Sequence, residues 1–132
     1  MYTPLNFVTT EEAIQIQNVL NSKEVKALIP ENRVLILSPT MQEQKVGKII
    51  LPGTMKEDIP HKGVVIDRGI LSEDNYSYRE LVDTGRVITY GLYGGKKIDF
   101  DPNLFKGISM DGQEFSILSV NEIIFSENNP NV

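Results

Sequence analysis

Gly47-Lys48-Ile49-Ile50-Leu51-Pro52-Gly53 sets three consecutive large aliphatic side chains between glycines, inside an otherwise polar segment. Upstream lies Pro39-Thr40-Met41-Gln42-Glu43-Gln44-Lys45, and downstream Thr54-Met55-Lys56-Glu57-Asp58-Ile59-Pro60-His61-Lys62. Neither flank alternates apolar with polar or repeats at helical spacing, so both read as loop. The triplet itself has two readings. As a short buried strand it adds one more element to a core, as short apolar runs usually do. As part of the loop it offers Ile49, Ile50 and Leu51 to a partner, with Gly47 and Gly53 as flexible hinges on either side.

Outward from this segment the pattern is β. Arg33-Val34-Leu35-Ile36-Leu37 is a strand of the buried type, stopped by Pro39. Beyond the loop, Gly63-Val64-Val65-Ile66-Asp67 makes a second strand, halted by Arg68-Gly69. Ile70 to Leu81 reads as a hairpin with two short arms around Glu73-Asp74-Asn75. Arg86-Val87-Ile88-Thr89-Tyr90 is a third main strand, and Gly91-Leu92-Tyr93-Gly94-Gly95 a turn. Lys97 to Phe100, Glu114 to Leu118 and Asn121 to Phe125 complete the series, with Asp111-Gly112 as a turn signal. Short strands at close spacing with glycine turns predict an all-β fold, a small barrel or sandwich. The polar stretch from Ser126 to Val132 reads as a disordered tail.

The first stretch differs in kind. Thr9-Thr10-Glu11-Glu12 carries a Thr three residues ahead of a Glu, the capping-box arrangement, so a helix is expected from here. Ala13, Ile16, Val19 and Leu20 fall near one face, and Asn21-Ser22 ends the run. A helix of about 10 to 12 residues is too short to stand alone in water, so it must dock or fray. Both a specific role and a loosely attached extension over residues 1–27 are open readings.

Composition narrows the function classes. The 132 residues suit one domain. A net charge of −5, with 18 acidic against 13 basic side chains, argues against nucleic acid and against an anionic membrane surface. No apolar run approaches the roughly 20 residues of a membrane span, and the N-terminal sequence has no signal-peptide pattern, so a cytoplasmic address is expected. With one histidine and no cysteine, the common zinc constellations cannot be assembled within one chain. His61 sits between Pro60 and Lys62 in the polar loop and reads as a solvated loop residue rather than a catalytic base. Gly91 to Lys96 fits neither the phosphate-cradling nor the dinucleotide glycine pattern. No catalytic residue, metal site or cofactor is expected, and the chain reads as a non-enzyme.

The order of these features resembles the GroES family, the small co-chaperonins that cap the folding chambers of chaperonins. Ile29-Pro30-Glu31-Asn32-Arg33-Val34-Leu35-Ile36 is similar to the family's proline-containing lead and D-R-V-I-V strand. Gly47 to Gly53 resembles the G-G-I-V-L-x-G of its mobile loop, here at about residues 39–62. Lys62-Gly63-Val64-Val65-Ile66-Asp67-Arg68-Gly69 is similar to R-G-x-V-x-x-V-G, and Thr84-Gly85-Arg86-Val87-Ile88-Thr89-Tyr90 to V-G-D-x-V-x-F, with Arg86 in place of the acidic residue. Glu114 to Phe125 resembles the closing E-x-x-x-x-S-x-x-D-I-L-A. The likeness covers about residues 28–126. The helical lead and a longer stretch around Asn103 to Ser109 depart from the pattern and mark a divergent member, of a kind a bacteriophage could encode.

The resemblance implies a small GroES-like β-barrel and a lid assembled as a heptameric ring. It implies that Ile49, Ile50 and Leu51 bind a groove on the apical domains of a GroEL-type chaperonin, and that unfolded client proteins are enclosed beneath. By the same likeness, a roof hairpin at about residues 69–83 carries Glu73 and Asp74 around the ring's central opening, and Tyr93 faces the enclosed cavity. Subunits would join by pairing the first strand, Arg33 to Leu37, with a neighbour's last, Val120 to Phe125. The competing reading, from a different class, is a β-barrel structural or binding subunit, such as a virion component, with the triplet in its core.

Overall fold

The computed structural model describes residues 7–39, 61–91 and 95–131. Its elements in chain order are helix α1 (Thr10–Leu20) and strands β1 (Arg33–Pro39), β2 (His61–Arg68), β3 (Val87–Tyr90), β4 (Lys96–Ile98), β5 (Gln113–Ser119) and β6 (Ile123–Glu127). Short 3-10 helices occupy Glu73–Tyr78, Pro102–Phe105 and Val120–Glu122. All pairings are antiparallel, in the order β4-β5-β1-β2-β3-β6. Bulges between Leu35 and Ile36 and between Thr89 and Tyr90 bend the sheet. The Gly95 N–H donates to the Glu122 carboxylate at 3.0 Å, which brings the approach to β4 beside the approach to β6. This is the small all-β architecture expected from the sequence.

The run Val34-Leu35-Ile36-Leu37 is continuously apolar because both faces of β1 are buried. Val34 and Ile36 join Val65, Ile88, Tyr90 and Leu118 in one cluster. Leu35 and Leu37 join Val64, Ile66, Val87 and Phe115 in a second, on the opposite face. The second cluster also takes in Ala13, Ile16 and Leu20 of α1 and Phe105 of the stretch around residues 99–110. Helix α1 and the stretch around residues 99–110 are therefore the parts that cover the sheet's outer face.

Helix α1 forms as its sequence predicts. Thr9 is extended at the N-cap, its hydroxyl accepts from the Glu12 N–H at 3.1 Å, and the Glu12 carboxylate accepts from the Thr9 N–H at 2.9 Å. Docking supplies what length cannot: Ala13, Ile16 and Leu20 are almost wholly shielded from water. The Gln17 amide adds polar contacts to Asp67 (3.2 Å) and Thr84 (3.0 Å). Gly85, at φ +95°, lies against Thr10 so closely that a Cβ there would strike the threonine side chain. From Phe7 onward the extension is thus a packed part of the domain, and for these residues the loosely attached reading is set aside.

Two expectations are corrected here. Residues 70–81 do not form a two-armed hairpin; Glu73–Tyr78 is a 3-10 helix followed by turns. Leu71 and Val82, at either end, are both buried in the barrel core, so the span between them caps the barrel instead of extending as paired arms. The tail is not loose either. Ser126 and Glu127 belong to β6, Asn129 is only 5% exposed, and its Nδ2 donates to the Val8 carbonyl at 2.8 Å. Asn131 donates to the Phe7 carbonyl at 2.9 Å. Polarity alone suggested disorder, but asparagine amides can satisfy backbone carbonyls that would otherwise be buried without a partner.

Candidate functional site

The residues singled out in the loop, Gly47, Ile49, Ile50, Leu51 and Gly53, lie outside the described residues, and so does Tyr93. What the structure does describe is the frame from which residues 40–60 leave and to which they return. Leu37 and Val64 are register partners one short step from either root, and both are buried. Ser38 and the Tyr90 hydroxyl share a buried hydrogen bond of 2.8 Å. His61 is the first residue of β2, paired with Tyr90 and packed edge-on against its ring at 5.9 Å. It is therefore a strand residue in an aromatic contact, not the solvated loop residue its neighbours suggested. Lys62 follows with an ion pair to Glu127 at 3.3 Å. Both roots of the segment are rigidly held.

Glu73 and Asp74 are exposed in the first turn of the Glu73–Tyr78 helix. That cap also presents Tyr76, 58% exposed, with the Arg79 guanidinium 4.5 Å from its ring centre. Its position is fixed from below, because Asn32 accepts from the Ser72 N–H and donates its own N–H to the Ile70 carbonyl. Gly69 approaches the Pro30 carbonyl so closely that no Cβ could be accommodated.

Among the described residues the sheet ends at β4 on one side and β6 on the other, and the two edges differ. β4 is three residues long and carries Lys96 and Lys97, both exposed, a composition that discourages edge pairing. β6 instead exposes Ile124 (68%) and Phe125 (59%). Leu28 (87%), in the irregular stretch 26–30, and Ile70 (81%) are exposed as well. The expected pairing partner Arg33 to Leu37 is corrected by the topology: β1 is flanked by β5 and β2 and has no open edge. Sequence reading reached β6 but missed Leu28 and Ile70, because Ala27-Leu28-Ile29 and Ile70-Leu71 are apolar runs too short to carry a period that tells which member faces water. Among the described residues no group of His, Cys, Asp or Glu is arranged to hold a metal ion, and no helix is long and apolar enough to cross a membrane.

A two-faced antiparallel sheet with a rigidly rooted intervening segment defines a class of small β-domain. A family model described as "Chaperonin 10 Kd subunit" matches residues 25–126, and the chain belongs to that family. Curated relatives include the co-chaperonin GroES 1 of Rhodopirellula baltica, 29% identical over 78% of this chain and 93% of that protein. The co-chaperonin GroES of Marinobacter nauticus is 34% identical over 70% of this chain and 87% of its own. That of Bacteroides thetaiotaomicron is 36% identical over 53% and 73%.

Proposed function

We propose that this chain is a co-chaperonin, a ring-forming lid that binds the apical domains of a GroEL-type chaperonin and has no chemistry of its own. The observation that carries the reading is the family match from residue 25 to 126, which spans the Gly47 to Gly53 motif. In this reading Ile49, Ile50 and Leu51 are the contact residues and Gly47 and Gly53 their hinges. Tyr93 faces the enclosed client, and Glu73 and Asp74 stand near the ring axis. The lid works in the cytoplasm, that of the host if the gene is carried by a bacteriophage.

The energetics favour a ring. Burying three large aliphatic side chains contributes roughly 5–9 kcal/mol at best. Ordering a loop costs about 1–2 kcal/mol per residue fixed, which offsets most of that gain. A single subunit therefore binds weakly, whereas a heptamer binds through effective concentration and releases when a few contacts are withdrawn.

Assembly is supported by the unequal edges. The exposed Ile124 and Phe125 of β6 and the exposed Leu28 and Ile70 are apolar surfaces of the kind a head-to-tail ring buries between neighbours. Phe125→Asp is expected to convert the ring to folded monomers, read as a loss of sedimentation rate with an unchanged circular dichroism spectrum. An intact ring in that variant would exclude β6 as the joint.

The function itself is tested by sedimentation of the protein alone and with a chaperonin plus ADP, followed by refolding of a chaperonin-dependent substrate. Co-sedimentation of a ring and improved refolding support the lid. A monomer or dimer that binds no chaperonin returns the chain to the structural-subunit reading.

A further inference from the structure

The stretch 98–111 and the loop-root end of β1 and β5 enclose a cavity of about 380 Å³. Its apolar lining includes Leu37, Phe100, Phe105, Met110 and Phe115. The phenylalanines form an edge-to-face cluster, with Phe100 and Phe115 centred 4.9 Å apart and Phe100 and Phe105 6.3 Å apart. Three carboxylates also line it: Asp99, Asp111 and Glu114. Lys97 neutralises Glu114 at 3.3 Å, while Asp99 and Asp111 are exposed and make no ion pair among the described residues.

Position gives the cavity a meaning. In the β1–β5 ladder, Leu37 faces Phe115, Ser38 faces Glu114 and Pro39 faces Gln113, so the cavity sits at the end of the sheet where residue 39 hands the chain to the segment 40–60. A partner that grips Ile49 to Leu51 is tethered to this end through the chain that follows Pro39.

We infer that the cavity is a second chaperonin contact, which receives a lysine- or arginine-bearing segment of the apical surface; this rests on the co-chaperonin reading. The occupant's chemistry follows from the lining. The aliphatic stem of a basic side chain packs against Phe100 and Met110, the partly exposed members of the apolar lining, and the Phe100 ring attracts a cation. The charged head is left beside Asp99 and Asp111. An anionic or purely apolar partner would leave those carboxylates repelled or desolvated without compensation. Because the loop already tethers the partner, even a weak contact acts at high effective concentration in every subunit. The stretch around Asn103 to Ser109, longer than the family pattern, thereby gains a role in partner choice.

The test compares Asp99→Lys/Asp111→Lys with a charge-matched control, Glu24→Lys/Glu80→Lys, which alters exposed sites away from the cavity. Binding of each ring to a panel of purified GroEL-type chaperonins in ADP is measured at low and high salt. The cavity variant is expected to bind about tenfold or more weakly than wild type and to lose salt sensitivity, with ring assembly intact. The control is expected to stay within about twofold. Equal binding by both variants overturns the second contact but leaves the lid function standing. Failure of the wild-type ring to bind any chaperonin overturns the lid function, and the cavity's assigned partner with it. Hydrogen exchange of residues 100–105 separates the occupants: protection beyond that of the isolated subunit, where Asn103 and Leu104 already donate to Asp101, should appear only in the complex. Added protection that arises on ring formation alone assigns the cavity to a second copy of this chain, and no added protection in the complex leaves it unoccupied; either overturns the proposal.

Discussion

Ile50→Asp is expected to abolish chaperonin binding while leaving the ring assembled and folded. The change removes about 1.5–3 kcal/mol of apolar burial from each subunit's contact. It also forces a carboxylate into an apolar groove without a partner, a further cost of at least about 1–3 kcal/mol in protein sites. Repeated around a ring, even about 1 kcal/mol per subunit compounds to several orders of magnitude in affinity, so no complex should survive sedimentation. Ile50→Val, which keeps the shape class, should bind detectably. Ring integrity is the deciding control. If Ile50→Asp instead gives an unfolded or monomeric protein, the triplet belongs to the core and the structural-subunit reading regains its ground.

Ile16→Ala carries the second large effect, on stability. Ile16 is fully buried between α1 and the outer face of the sheet. Truncating a buried isoleucine to alanine costs about 2–5 kcal/mol, because the cavity left behind only partly collapses. For a domain of this size each kcal/mol lowers the melting temperature by a few degrees, so a fall of about 10 °C is expected. Thermal and urea unfolding check it. A shift under about 1 °C would mean that α1 contributes nothing to the folded state, against the packing described above.

Strand positions were legible because their signals are local. Arg33 to Leu37, Gly63 to Asp67 and Glu114 to Leu118 each carry enough β-branched and aliphatic residues to name themselves, and Thr9 to Glu12 announced α1 through a capping box. What remained hidden depends on distant partners. The buried Asn129 needs the Val8 carbonyl 121 residues away. The cap at Glu73–Tyr78 depends on Leu71 and Val82 sharing one core, which no window of adjacent residues reveals. His61 was misread because a single histidine beside a proline looks like loop until Tyr90 is placed across from it. Of the candidate site, the GroES-like motif at Gly47 to Gly53 was readable through family likeness alone. The apolar edge of β6 became recognisable as exposed only once the sheet order was known.

The joining of Phe7 and Val8 to Asn131 and Asn129 has a consequence for how the protein is made. Contacts that bridge almost the whole chain close late and slow folding, since the loop entropy must be met before they form. During synthesis α1 emerges ahead of all six described strands, yet the residues leading into it have no amide partners until residues 129–131 have left the ribosome. The outer face of the sheet stays incompletely sealed until those residues arrive, with apolar surface open to other proteins. A protein read here as an assistant to the folding of others would itself pass its birth in the state that most calls for such assistance.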